Sequence, residues 1–248
     1  MRAATPQSER GFTVMELMIA TAIFVVITAA MFELLQLSQK KYSSETQVSG
    51  AFQEARLAVD QIVRDFNVSG YPAQSLFSFL PANSSQYAVS PVAWDPNYPI
   101  SACFVGTAGG GTCATPGDFD LIVETDLGNG AGVNWIRYQL AGTTLLRAVV
   151  PKTAGPDPVA ATSAPGVMVP FLTNVVNSAV QPVFQYTCDT PSGPLPCPSV
   201  AAGSSGIPNN IRDVNITLIV KTRQTDMQTG LPMLVELNGR GHRINPSN

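Results

Sequence analysis

The segment from Phe12 to Leu35, FTVMELMIATAIFVVITAAMFELL, constrains this chain more than any other. No charged residue lies between Leu17 and Phe32. Counted from Phe12 the apolar stretch reaches about 20 residues, long enough to cross a bilayer as a helix. The eleven residues before it, MRAATPQSERG, are polar and carry Arg2 and Arg10. Those arginines are expected to hold the leader on the cytoplasmic side and send the C-terminal bulk across the membrane.

One acid interrupts the run. An ordinary secretory signal has an apolar region of roughly 7 to 15 residues and no acid near its start, whereas here Glu16 stands near the beginning of a longer segment. A carboxylate within the apolar span costs on the order of 2.5 to 3.5 kcal/mol on insertion scales, so it marks a functional residue with a partner. The competing explanation is that Glu16, five residues from the leader boundary, snorkels to the headgroups.

Gly11-Phe12-Thr13-Val14-Met15-Glu16 followed by the apolar run resembles the class III prepilin signal of type IV pilins and type II secretion pseudopilins. The resemblance covers about the first 40 residues. It implies that a membrane aspartyl peptidase, the prepilin peptidase, cuts between Gly11 and Phe12 and methylates the new N-terminus on Phe12. It also implies that Glu16, at mature position five, docks subunits during assembly by pairing with a neighbour's freed α-amine. Two opposite charges paired in lipid offset the desolvation each would otherwise carry. Arg10, preceded by Glu9, takes the basic position that many such leaders have before the glycine.

Beyond Glu33 the helix is expected to continue. Val48, Phe52, Ala55, Val59, Ile62 and Phe66 recur at spacings of four and three, which draws an apolar stripe along one helix face. Gly50 weakens that helix by about 1 kcal/mol relative to Ala. NVSGYP, from Asn67 to Pro72, ends it, since Gly70 suits a left-handed stop and Pro72 cannot continue. The run Ala55 to Tyr71, with Arg64, Asp65, Gly70 and Tyr71, resembles the helix end of PilW-like minor pilins and of the J-type minor pseudopilin of type II secretion. Arg64 and Asp65 are read as a solvated helix terminus, without a catalytic role.

From Ala73 to Pro116 the composition turns to Ser, Pro, Asn, Ala and Gly, with Tyr87, Trp94 and Tyr98 scattered through it. A long irregular connection with one or two short strands is expected, of the kind that is functional or mobile. Strands follow. FDLIVETD alternates Phe119, Leu121 and Val123 against Asp120, Ile122 and Glu124, VNWIRYQL comes next, and after Ala141 and Gly142 comes TTLLRAVV. Joined by Gly/Asn turns, these make an antiparallel meander. FLTNVVNSAV reads as a short helix or turn leading into a strand at PVFQY, and further strands are expected at Val214 to Val220 and Met233 to Leu237. The strand series again looks like the PilW/J pattern, weakly in the middle of the chain.

Composition agrees with a loop-rich exported domain. Only 12% of the residues are charged, with 20 Gly and 20 Pro, a mix unlike a helical cytosolic enzyme. A net charge of -3 without a basic cluster gives no footprint for nucleic acid. The four cysteines form two local pairs, Cys103 with Cys113 and Cys188 with Cys197, and no C-x-x-C zinc knuckle is present. Two disulfides each closing a loop of about ten residues would contribute on the order of 2 to 3 kcal/mol apiece; the alternative is four free thiols in a reducing cytosol.

Other clusters are weak. Asp118, Asp120, Asp126 and Asn129 surround a Gly-rich turn, a setting that suits calcium, but the spacing is not that of an EF-hand loop and turns favour Asp, Asn and Gly for backbone reasons alone. The only histidine, His242, reads as a solvated side chain in the tail HRINPSN. Gly106 to Gly111 lacks the lysine of a phosphate loop. No catalytic constellation, metal site or cofactor is expected.

The expected fold class is therefore α+β and pilin-like. Residues 1–11 form a leader, 12–37 the membrane-spanning half of a long helix, 38–69 its amphipathic half, 70–117 an irregular region and 118–248 an antiparallel β domain. The resemblance implies a minor pilin that initiates or caps a type IV pilus, anchored in the inner membrane with a periplasmic C-terminal domain before reaching the cell surface. Its implied partners are the prepilin peptidase, other minor and major pilins, the inner-membrane assembly platform and lipid. A J-type pseudopilin is the near alternative. An exported, membrane-tethered enzyme or binding protein, cut near Thr28-Ala29-Ala30, is the distant one.

Overall fold

The computed structural model describes residues 11–245, apart from 78, 96–97, 99–102, 106–112, 129, 131, 154–156, 198–205 and 227–228. The chain divides into two compact units, Met1–Thr46 and Gln47–Asn248. One helix, α1 (Val14–Asn67, 54 residues), contributes to both.

In the first unit the helix is sheathed in exposed apolar side chains, among them Met18, Phe24, Val26 and Phe32, and an 18-residue window reaches a mean hydropathy of 2.3. Thr21 and Thr28 are poor helix formers by propensity, yet here their hydroxyls donate back to the carbonyls of Leu17 and Phe24 at 3.0 and 2.7 Å. Both of these hydroxyls are thus satisfied within the helix itself, as lipid demands.

The second unit holds the rest of α1, two antiparallel sheets and a short helix, α2 (Pro158–Thr162). The first sheet comprises β1 (Val92–Ala93), β2 (Asp120–Asp126), β3 (Val133–Ala141), β4 (Thr144–Pro151) and β5 (Val169–Thr173) in the order β1-β2-β3-β4-β5. The second comprises β6 (Phe184–Thr190), β7 (Gly193–Pro196), β8 (Ile211–Thr225) and β9 (Pro232–His242) in the order β7-β6-β8-β9. Together with the long apolar helix these sheets make an α+β, pilin-like architecture.

The helix stripe does most of the packing. Ala55, Val59, Ile62 and Phe66 join one core with Leu121, Val123, Ile136 and Tyr138 of the first sheet and Phe184, Val214, Ile216 and Leu218 of the second. Phe52 lies largely outside it, 44% exposed. Gly70 ends the helical run with φ +76°, and its N–H donates to the carbonyl of Glu124 on β2 at 2.8 Å.

Strand parity places Ile122 and Glu124 on the opposite face of β2 from Leu121 and Val123, and that face is buried too. Trp94, Tyr98, Ile122 and Trp135 form a second cluster with Cys103 and Cys113. The scattered aromatics between Ala73 and Pro116 are thus a second cover for the first sheet. They are side chains of a packed layer, although the backbone bearing them has only β1 and a 3-10 turn at Gln74–Leu76 as regular structure among the described residues.

One expected element is half right: FLTNVVNSAV does close in a turn before β6, bridged between Ser178 and Gln181, but Phe171 to Thr173 belong to edge strand β5, whose Leu172 lies opposite Leu145 of β4. An apolar pair such as Phe171-Leu172 has no resolvable period, and pairing with β4 decides it. Pro170 fits because an edge strand has no second neighbour to receive its missing N–H.

On β9, Gly239 and Gly241 lie against α1. A Cβ at Gly241 would sit 2.9 Å from Cδ1 of Phe66, and one at Gly239 would press still closer on Cγ1 of Val59. Absence of side chains at these alternate positions lets the helix approach the strand closely. Gly241→Val should destabilise the domain by about 1 to 3 kcal/mol through overpacking, measured by chemical unfolding; unchanged stability would show that the helix is not seated on these glycines.

Candidate processing and assembly site

The bond between Gly11 and Phe12 precedes the first helical residue, Val14, in exposed non-helical backbone, and Phe12 is 87% exposed. Residues 1–10 lie outside the described part. Helix α1 opens with a reciprocal capping box, Thr-x-x-Glu. The backbone N–H and the hydroxyl of Thr13 both donate to Oε2 of Glu16 at 3.0 Å, and the Glu16 N–H donates to Oγ1 of Thr13 at 3.3 Å. Two of the helix's orphan N–H groups are thereby satisfied. Glu16 thus has a local partner, Thr13, which the sequence analysis did not assign to it.

Cys103 is bonded to Cys113, and Cys188 to Cys197. The first bond is packed within the aromatic layer over β2 and β3. The second belongs to the main core and ties β6 to the end of β7.

Several buried charges escaped the sequence analysis. Lys152 and Glu124 are both fully buried, with Nζ donating to Oε1 at 2.5 Å and to the carbonyl of Tyr87 at 3.0 Å. The Tyr98 hydroxyl donates to the other carboxylate oxygen of Glu124. Burial pushes the Glu124 carboxyl above its ordinary range, and Lys152 opposes that rise without cancelling it. Nearby, Arg137 bonds Asp120 through two nitrogens at 2.9 and 2.5 Å and reaches Ser163 beyond α2 at 2.5 Å. Burial raises Asp120, against the pull of Arg137. Asp120 and Glu124 on the outer face of β2 are therefore ion-paired under cover.

Asp65 is a correction. It was read as a solvated helix end, but it is 2% exposed. It accepts from the Tyr138 hydroxyl at 2.5 Å, from Gln61 at 2.7 Å and from Arg147 at 3.0 Å. The stripe of Ile62 and Phe66 turns it inward, and it fixes α1 to β3 and β4. Arg64 points outward and is exposed. His242 is half-exposed but not a free tail residue: it ends β9, with Nδ1 2.6 Å from buried Asp213, which also accepts from Arg240 at 2.7 Å. Burial raises the Asp213 carboxyl, but the bonds from Arg240 and His242 outweigh it and the net shift is downward.

The acidic turn does not assemble a metal site from its described members. Asp120 is taken by Arg137, and Asp126 caps the turn by accepting from the Gly128 N–H at 2.8 Å. Asn129 and the Gly106 to Gly111 stretch lie outside the described residues. Among the described residues no group of three His, Cys, Asp or Glu is placed to hold a metal.

The prokaryotic N-terminal methylation motif matches residues 6–32 of the chain. No curated protein and no solved structure matches it. The motif spans the Gly11–Phe12 bond, Thr13, Glu16 and most of the apolar run, and it marks the chain as type IV pilin-like or pseudopilin-like, with an N-terminus suited to membrane anchoring.

Proposed function

We propose that this chain is a minor pilin, a structural subunit that helps initiate or cap a type IV pilus. It is made as a precursor, cut between Gly11 and Phe12 by the prepilin peptidase, and N-methylated on Phe12. The protein then waits in the inner membrane with its β domain in the periplasm, and it enters the filament with other minor and major pilins at the assembly platform. The observation that carries this is the methylation motif over residues 6–32; with the proposed cut after Gly11, Glu16 becomes the fifth residue of the mature chain. Two cysteine pairs closed as disulfides suit an oxidising compartment. At least the 237 residues 12–248 (248 minus 11) follow the cut, a size large for the repeating subunit of a filament and better suited to a minor one.

The helix end at Arg64 to Tyr71 also fits a J-type pseudopilin of type II secretion, whose helix ends in a similar Arg/Asp-bearing run. Loss of filaments on deletion supports the pilus role, whereas loss of protein secretion with filaments intact points to the secretion machine. The N-terminus of the mature protein tests both against an ordinary export signal. Mass spectrometry should find an N-methylated Phe12; a chain beginning near Met31 would overturn processing at Gly11.

A further inference from the structure

A second site lies on the β domain, remote in sequence from the processing signal and independent of which machine uses the chain. A groove of about 400 Å³ is lined by Gly117 and Asp118 before β2, by Ala179, Val180 and Pro182 before β6, by Gln185 and Thr187 of β6 and by Asn215 of β8. Its size falls in the range of small-ligand sites, roughly 300 to 1,000 Å³.

The polar groups converge. Gln185 and Asn215 stand directly opposite each other across the β6–β8 pair, so their side chains share one face. Both are exposed, and neither makes a side-chain hydrogen bond among the described residues. Strand parity puts the Thr187 hydroxyl on the same face, and Asp118 adds an exposed carboxylate from the rim. The backbone holding them is rigid: the Phe184 N–H donates to the Asp118 carbonyl at 3.0 Å and the Tyr186 hydroxyl to that of Gly117 at 2.8 Å. The walls are apolar, with Val180 91% exposed.

This donor set selects a ligand class. Among the described residues no lysine, arginine or histidine lines the groove, which disfavours phosphates and carboxylates beside Asp118. Two amides and a hydroxyl offer donors and acceptors together, as a vicinal diol requires, because each of its hydroxyls both gives and takes a bond. A carboxylate accepts strongly from such hydroxyls, and Val180 and Pro182 can cover the C–H face of a ring. We propose that the groove is a binding site for a neutral sugar residue of a glycan.

The test uses the full chain in a zwitterionic detergent without a sugar headgroup, since maltoside micelles would compete. Saturation-transfer NMR is run with the methyl glycosides of glucose, galactose, mannose and N-acetylglucosamine at millimolar concentration. At least one should show ring-proton signals that fall about tenfold in Gln185→Ala/Asn215→Ala and in Asp118→Asn. Asn238→Ala, on β9 outside the groove, should keep them. No signal from any of the four, or signals that survive the double substitution, would overturn the proposal, and the exposure of all three residues makes the variants compatible with folding.

Discussion

Replacing Glu16 with Ala should abolish filaments while leaving the protein in the membrane. Removing the carboxylate relieves an insertion cost of about 2.5 to 3.5 kcal/mol and forfeits the capping box with Thr13, worth about 1 kcal/mol, so membrane levels should not fall. What should be lost, under the proposed docking role, is the charge offered to a neighbour's α-amine. Glu16→Gln separates the two roles, because Gln at this position keeps the reciprocal cap but carries no charge. Both variants are expected to yield few or no filaments by electron microscopy, with normal amounts of processed subunit in the membrane fraction. Normal filament numbers in Glu16→Gln would mean that Glu16 serves the helix start alone.

The largest expected loss of stability comes from the interior. Lys152→Met strands the Glu124 carboxylate in a fully buried site, and breaking such a pair on one side costs about 3 to 5 kcal/mol, a drop in Tm on the order of 10 °C for a domain of this size. The pH dependence follows from linkage. Glu124 already sits above its ordinary range in the fold, and without Lys152 it rises further. The folded state then binds more protons than the unfolded one, so stability falls as pH rises above the ordinary carboxylate range. The gap between parent and variant should be widest at neutral pH and narrow on acidification. Glu124→Met/Lys152→Met should regain most of the loss. Equal melting of parent and Lys152→Met at pH 7 would contradict the pairing.

The parts of the fold written in long periodic patterns were legible. The apolar run, the stripe from Ala55 to Phe66, the β2-β3-β4 meander and the cores of β8 and β9 follow from residue spacing. The extra length of β9 to His242 was hidden because Asn238, Gly239 and Gly241 break its alternation. Those glycines are a legible signal once taken as a place where another backbone comes near. Asp65 was misjudged because a charge near a helix end is ordinarily solvated, and only three-dimensional neighbours reveal Tyr138 and Arg147. The same holds for Glu124 and Lys152, which are 28 positions apart. A charge at the buried centre of an apolar strand was the available clue. At the processing site Glu16 stood out by its charge, whereas its bond to Thr13 follows from the Thr-x-x-Glu spacing and could have been found.

The end of α1 is tied to the segment 242–245 that closes and follows β9. The Asn67 side chain accepts from the His242 N–H at 2.9 Å and its carbonyl from the Ile244 N–H at 3.3 Å, while Asn245 donates to the carbonyls of Val68 and Ser69. With the glycines of β9 seated under Val59 and Phe66, traction on the helix passes directly into the C-terminal strand. Residues 242–245 therefore clasp the end of α1 to the β domain, and a truncation before His242 would loosen the seat that the helix takes there.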